Sequence, residues 1–166
     1  MTGAASPRDP AGKVRDWSAA ERWRTSQRGR VVFTNGVFDL IHPGHVDVLL
    51  GARRAGDHLI VAINSDASVR RLKGSERPVR GEAERAYVVA ALEMVDCVVV
   101  FEHDTPLELI ERLRPDVLVK GGDYREETIV GASQVRAWGG SIQVIPLTPG
   151  QSTTSIIRAL RGSSEE

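Results

Sequence analysis

His42 and His45 are separated only by Pro43 and Gly44, at the end of the run Thr34-Asn35-Gly36-Val37-Phe38-Asp39-Leu40-Ile41-His42-Pro43-Gly44-His45. Pro43 has no backbone donor and holds φ near its helical value, so it suits the first position of a helix. His42 is then the cap and His45 falls in the first turn, both beside the positive end of the helix dipole. Gly44 leaves room for a bulky ligand to approach the backbone. Such a site can hold a polyphosphate and donate from two imidazoles to charge that develops in a transition state. A bare His-Pro-Gly-His is equally well a turn with two polar loop residues. The flank tips the balance toward phosphate, because Thr34, Asn35, Gly36, Phe38 and Asp39 follow the apolar run Val31-Val32-Phe33. Zinc is the weaker reading, since the other histidines, His58 and His103, sit at strand starts or ends without ligand-like spacing.

Three further stretches could meet phosphates. Lys73, in Arg70-Arg71-Leu72-Lys73-Gly74, could neutralise phosphate charge, or simply belong to a solvated basic turn. Ser152-Thr153-Thr154-Ser155 precedes an apolar pair, Ile156-Ile157. One hydroxyl suffices to cap a helix. Four in a row also suit a triphosphate beside free helical N–H groups. Lys120-Gly121-Gly122-Asp123-Tyr124 combines glycines that permit close approach with a carboxylate that could accept from ligand hydroxyls or an amine. A third basic region comprises Arg77, Arg80 and Arg85, with Glu82 and Glu84 favouring a helix start between them.

These groups need a scaffold that brings them together. Apolar, β-branched runs occur at Val31–Phe33, Leu59–Ile63, Cys97–Phe101, Val117–Val119 and Ile142–Ile145. They do not alternate, as expected of strands covered on both faces. Helical segments lie between them at Gly44–Ala55, from Asp66, at Glu82–Leu92, from Thr105 and at Ser133–Trp138, with a last short helix at Thr153–Leu160. Asp66 is read as an N-cap and Gly56 as part of a C-cap. Alternation of this kind predicts an α/β fold with a five-stranded parallel sheet and helices on both faces. The carboxyl ends of such strands are where nucleotides bind. Phe33, Val61, Ile63, Val98, Val100, Val117, Val119 and Ile142 are expected in the core. Trp17, Trp23 and Trp138 are expected to pack on the body, and Cys97 to be a buried thiol.

The chain has 166 residues, enough for one ordinary domain. Residues 1–15 read as a flexible tail, 16–162 as the domain, and 163–166 as a second tail. A formal charge of +0 argues against a dedicated nucleic-acid surface. One cysteine excludes a disulfide framework. Neither a membrane-spanning run nor a signal-peptide core is present, so a cytoplasmic protein is expected. The absence of G-x-G-x-x-G after the first strand argues against a dinucleotide oxidoreductase.

The run Thr34–His45 resembles the signature of the nucleotidyltransferases with a His-x-Gly-His motif, and the resemblance extends from about Arg30 to Leu160. It implies a Rossmann-like fold and transfer of a nucleoside monophosphate from ATP or CTP to a phosphate, with release of pyrophosphate. It implies roles for His42, His45, Lys73 and Arg85 at the reacting phosphates, and for Thr153, Thr154 and Ser155 on the β- and γ-phosphates. Lys120, Gly121 and Asp123 join Thr34, Asn35, Gly36, Phe38, Asp39 and Gly44 as nucleotide-binding positions. No protein-held metal is expected, Mg²⁺ arriving with ATP. Asp116–Tyr124, Asn64–Arg70, Ala90–Asp96 and Ser152–Thr154 resemble more narrowly the adenylyltransferases of ADP-heptose synthesis. The acceptor implied is D-glycero-β-D-manno-heptose 1-phosphate. The short stretch before Val31 suggests a stand-alone enzyme supplied by a separate sugar kinase, and the resemblance implies a homodimer. A cytidylyltransferase or an adenylyltransferase of another small phosphate, such as glycerol 3-phosphate, is the nearest rival. A nucleotide-binding module without turnover is the rival from another class.

Because a phosphate is already nucleophilic near neutral pH, no general base is needed. Positioning and charge stabilisation carry the work. The histidines are expected to be at least partly protonated once phosphate is bound.

Overall fold

The computed structural model describes residues 8–147 and 149–162. The expected C-terminal tail, 163–166, and the first part of the N-terminal one lie outside the described residues. In chain order the strands are β1 (Val14–Arg15), β2 (Val31–Gly36), β3 (His58–Asn64), β4 (Cys97–Phe101), β5 (Val117–Gly121) and β6 (Ser141–Ile145). The α-helices are α1 (Trp17–Ser26), α2 (Pro43–Arg54), α3 (Asp66–Lys73), α4 (Glu82–Ala90), α5 (Leu107–Leu113), α6 (Ala132–Ala137) and α7 (Thr153–Gly162).

All pairings are parallel, and the sheet order is β1-β4-β3-β2-β5-β6. The sheet therefore has six strands rather than the expected five. The extra strand is β1, whose Val14 and Arg15 pair with Val98 and Val99 at the edge. Two residues carry too little hydrophobic pattern to read as a strand, and both fall in the stretch expected to be a tail. Tertiary contacts hold them: Lys13 Nζ donates to the Leu92 carbonyl at 3.3 Å, and Arg15 donates to the Asp96 carbonyl at 3.2 Å.

Successive residues of the central strands serve opposite faces. Val31, Phe33, Ile60, Ala62 and Val99 pack with α1, α5 and α6 on one side. Val32, Leu59, Val61, Ile63 and Val98 pack with α2 and α4 on the other. Each fully buried aliphatic side chain contributes about 1.5–3 kcal/mol, which outweighs any local propensity. The expected core residues are buried except Val100 and Ile142, which are half-buried. Trp17 and Trp138 each bury a face and donate the indole N–H to a carbonyl, of Val100 and Pro115 respectively.

After the edge strand β1, the chain passes to β2 in the middle of the sheet. It proceeds to β3 and β4 on one side, then crosses to β5 and β6 on the other. That reversal opens a crevice beyond the carboxyl ends of β2 and β5.

Candidate active site

A cleft of about 600 Å³ occupies this crevice. It is framed by the β2–α2 loop, the end of α3, the segment after β5 and the start of α7. His42 is the N-cap of α2 in extended conformation, with Pro43 at the first helical position. Its side chain makes no capping bond, so the imidazole is left for the cleft. The His42 and His45 rings stack with centroids 3.8 Å apart. Both Nδ1 atoms are buried without a hydrogen-bond partner among the described residues. Burial pushes the His42 imidazole toward the neutral form. Burial, and then the neighbouring His42, lowers the pKa of His45 to about 4, against the pull of the Leu40 carbonyl and Asp39. A half-buried, stacked pair of imidazoles whose pKa values burial lowers can gain a proton when anionic charge arrives.

The loop before them is held tightly. Phe38 adopts φ 49°, unusual for a residue with a side chain, and its ring lies 5.1 Å from that of His45. A Cβ on Gly44 would stand 3.1 Å from the His42 ring and 3.2 Å from Gln151 Cβ. Glycine there lets the start of α2 approach the segment before α7.

Three cations line the cleft, Lys73, Arg77 and Lys120. Lys120 Nζ donates to Asn35 Oδ1 at 3.3 Å, across β2 and β5, and lies over the Tyr124 ring. Burial, and then Lys73, lowers its pKa, so a bound anion would relieve an existing cost. Lys73 is the last residue of α3 rather than part of the following loop. At α7, Ser152 Oγ accepts from the Ser155 N–H at 3.0 Å and pairs with Ser155 Oγ at 2.7 Å. Ser152 is therefore the cap, while Thr153 and Thr154 line the cleft. Two helix N-termini, of α2 and α7, thus converge on one space, and each favours negative charge.

Thr34, Asn35, Gly36, Phe38, Gly44, His42, His45, Lys73, Lys120, Gly121, Thr153 and Thr154 all line the cleft, as the sequence reading expects. Four others do not. Arg85 is 1% exposed and donates to the Val37 carbonyl, the Arg80 carbonyl and Asp66 Oδ1 at 2.7, 2.9 and 2.7 Å. Its guanidinium is committed to holding loops together. Asp39 is buried and accepts from Arg77 Nε and the Val79 and Arg80 N–H groups. Desolvation raises its pKa, but those donors outweigh it and hold the carboxyl below its usual range. Ser155 turns to Ser152, and Asp123 is exposed beside the cleft. Asp66, expected as a cap, takes the Arg85 ion pair, and Ser65 Oγ caps α3 instead.

Asn64, Asp104, Ile129, Val130, Leu147 and Gln151, none of them expected as site residues, also line the cleft. Asn64 ends β3, and Asp104 and Leu147 closely follow β4 and β6, whereas Ile129, Val130 and Gln151 come from loops with no composition signal. Among the described residues no group of three or more His, Cys, Asp or Glu could hold a metal ion. The one carboxylate lining the cleft, Asp104, is paired with Arg71 at 2.8 Å.

Comparison with known proteins gives concordant results. The cytidylyltransferase-like family matches residues 33–159. Bifunctional protein HldE of Acidiphilium cryptum is 58% identical over 144 residues, covering 86% of this chain and 29% of that protein. HldE of Magnetococcus marinus is 54% identical over 152 residues, 89% of this chain and 31% of its own length. The chain thus spans under a third of the length of these relatives. A lipopolysaccharide core biosynthesis protein from Thermoplasma volcanium has the same fold, with a TM-score of 0.61 at 22% identity over 73% of this chain and 98% of that one.

Proposed function

The chain belongs to the cytidylyltransferase-like family of nucleotidyltransferases, and from that membership we propose that it transfers AMP from ATP to D-glycero-β-D-manno-heptose 1-phosphate, giving ADP-heptose and pyrophosphate. The observation that carries the transfer reading is the convergence of two helix N-termini, Lys73, Lys120 and the stacked imidazoles on one cleft at the sheet's switch point. The choice of acceptor rests on the resemblance of residues 64–70, 90–96, 116–124 and 152–154 to adenylyltransferases of ADP-heptose synthesis, and on the high identity to HldE.

An oxygen of the sugar phosphate attacks the α-phosphorus, and the bond from that phosphorus to the bridging oxygen of the β-phosphate breaks. The electron pair leaves with pyrophosphate. His42 and His45, stacked at the start of α2, donate to the phosphates. The triphosphate's charge raises their pKa values, so binding draws protons onto the pair. Thr153 and Thr154 with the start of α7 hold the leaving phosphates. Lys73 and Lys120 offset the charge. Mg²⁺ would arrive with the triphosphate and offset part of its charge there.

The protein is further proposed to act as a homodimer in the cytoplasm, with a sugar kinase activity supplying the sugar 1-phosphate, and residues 16–162 forming the transferase domain. Among the described residues no helix is long and apolar enough to cross a membrane.

The test is pyrophosphate release from Mg²⁺-ATP or Mg²⁺-CTP with both anomers of heptose 1-phosphate, glycerol 3-phosphate and phosphopantetheine. Release with ATP and the β-anomer alone supports the assignment. Release with another pair moves the substrate but keeps the chemistry. ATP binding without release from any pair favours a binding module.

A further inference from the structure

We propose that Arg77, with Lys73 across a tight turn, forms the site for the phosphomonoester group of the acceptor, and that Asp39 is the residue that positions it. The inference rests on the transfer reading above and adds where the acceptor docks. Lys73 ends α3, and the Arg77 N–H closes the following turn onto the Gly74 carbonyl at 3.1 Å. Both side chains line the cleft. Arg77 Nε donates to Asp39 Oδ2 at 2.7 Å. The Asp39 side chain is 0% exposed and that of Arg77 is 16% exposed.

One edge of the guanidinium is therefore fixed by a buried carboxylate. Its two terminal nitrogens have no hydrogen-bond partner among the described residues, and neither does Lys73 Nζ. A planar fork held from behind with free donors in front is the geometry that recognises a phosphate dianion. The nearby carboxylates are already engaged: Glu76 pairs with Arg161, Asp104 with Arg71, and Asp66 with Arg85. None competes for the two cations.

Topology brings this site to the shared cleft from the other side of β2, with Lys73 still close enough to Lys120 to lower its pKa. Lys120 and Gly121 end β5, on one side of β2, and face the crevice with the α2 and α7 N-termini. Lys73 and Arg77 come from the chain after β3, on the other side of β2. In-line displacement needs nucleophile and leaving group on opposite sides of the α-phosphorus. An acceptor held by Lys73 and Arg77 approaches from the β3 side.

The same Asp39 also takes the Val79 and Arg80 N–H groups and lies three residues before His42. It thus joins the acceptor turn to the histidine loop.

The experiment measures kinetics with ATP and the sugar 1-phosphate, and ATP affinity by calorimetry without acceptor. The variants are Arg77→Gln, Arg77→Lys and Asp39→Asn, each checked for folding by thermal melting. Arg77→Gln is expected to raise the acceptor KM by about 10–100-fold, the loss of one charge-assisted contact, while the ATP Kd stays within about twofold. Arg77→Lys is expected to recover part of the loss. Asp39→Asn is expected to raise the acceptor KM in the same direction without that selectivity being lost. An unchanged acceptor KM, or an ATP Kd that rises in step with it, overturns the proposal. Should the wild type release no pyrophosphate, the transfer reading falls. Inorganic phosphate titrated against wild type and Arg77→Gln then decides the site by itself, and equal affinities would overturn it.

Discussion

At the scale of single residues, the imidazole pair sets the most direct expectations. His45→Ala should lower kcat by about 10²–10³-fold, the usual effect of removing one transition-state donor, with little change in ATP affinity. Steady-state kinetics beside calorimetric ATP titration checks this, and a loss confined to ATP affinity would count against the role. Proton linkage gives a second expectation. The His45 pKa is lowered to about 4 in the fold, against 6.5 for an ordinary imidazole. Between those values the unfolded chain binds the proton and the native one does not, so stability falls as pH drops through that window. Part exposure limits the effect to on the order of 1–2 kcal/mol. His45→Gln should flatten the slope of melting temperature against pH between pH 4 and 6.5. Asp39 acts in a lower window: its depressed pKa makes a contribution present above the ordinary carboxylate range and lost at stronger acidity.

At the scale of elements, Arg85 ties three segments together: the start of α3 through Asp66, the β2–α2 loop through Val37, and the loop before α4 through Arg80. Arg85→Met should cost about 2–4 kcal/mol, because Asp66 and two carbonyls lose their donor. Chemical denaturation measures the loss. A variant of unchanged stability but lost turnover would instead give Arg85 a direct part at the phosphates. Glycines at the helix–sheet seam make a second comparison. A Cβ on Gly121 would meet Val48 Cγ2 at 2.5 Å, a stiff β-branched side chain on the helix that carries His45. Gly121→Ala should destabilise by about 1–3 kcal/mol and lower kcat as α2 shifts. A Cβ on Gly51 would meet only the flexible tip of Ile145, and alanine adds helix propensity there. Gly51→Ala should therefore be the milder change in melting temperature.

At the scale of the whole molecule, the edge strand β1 is separable from the chemistry. Deleting residues 1–15 removes the Val14 and Arg15 pairing with β4 and the Lys13 contact to Leu92. About 1–3 kcal/mol of stability should be lost, while ATP affinity should hold, because the cleft is built on β2, β3 and β5. Thermal melting and ATP titration of the shortened protein check both parts. The sequence by itself determined the alternating α/β order, the five long strands, and the H-x-G-H, lysine and hydroxyl elements, because each leaves a local pattern: a β-branched run, a proline at a helix start, hydroxyls before a helix. Only the tertiary structure decided the rest. β1 exists because β4 offers an edge, not because two residues prefer a strand. Arg85 and Asp39 look like site residues in the sequence, yet long-range hydrogen bonds bury them as supports. Arg77 lines the cleft because Asp39, 38 residues earlier, holds it there. A charged group declares its type in the sequence, but its task is fixed by which oxygens and nitrogens the fold brings within reach.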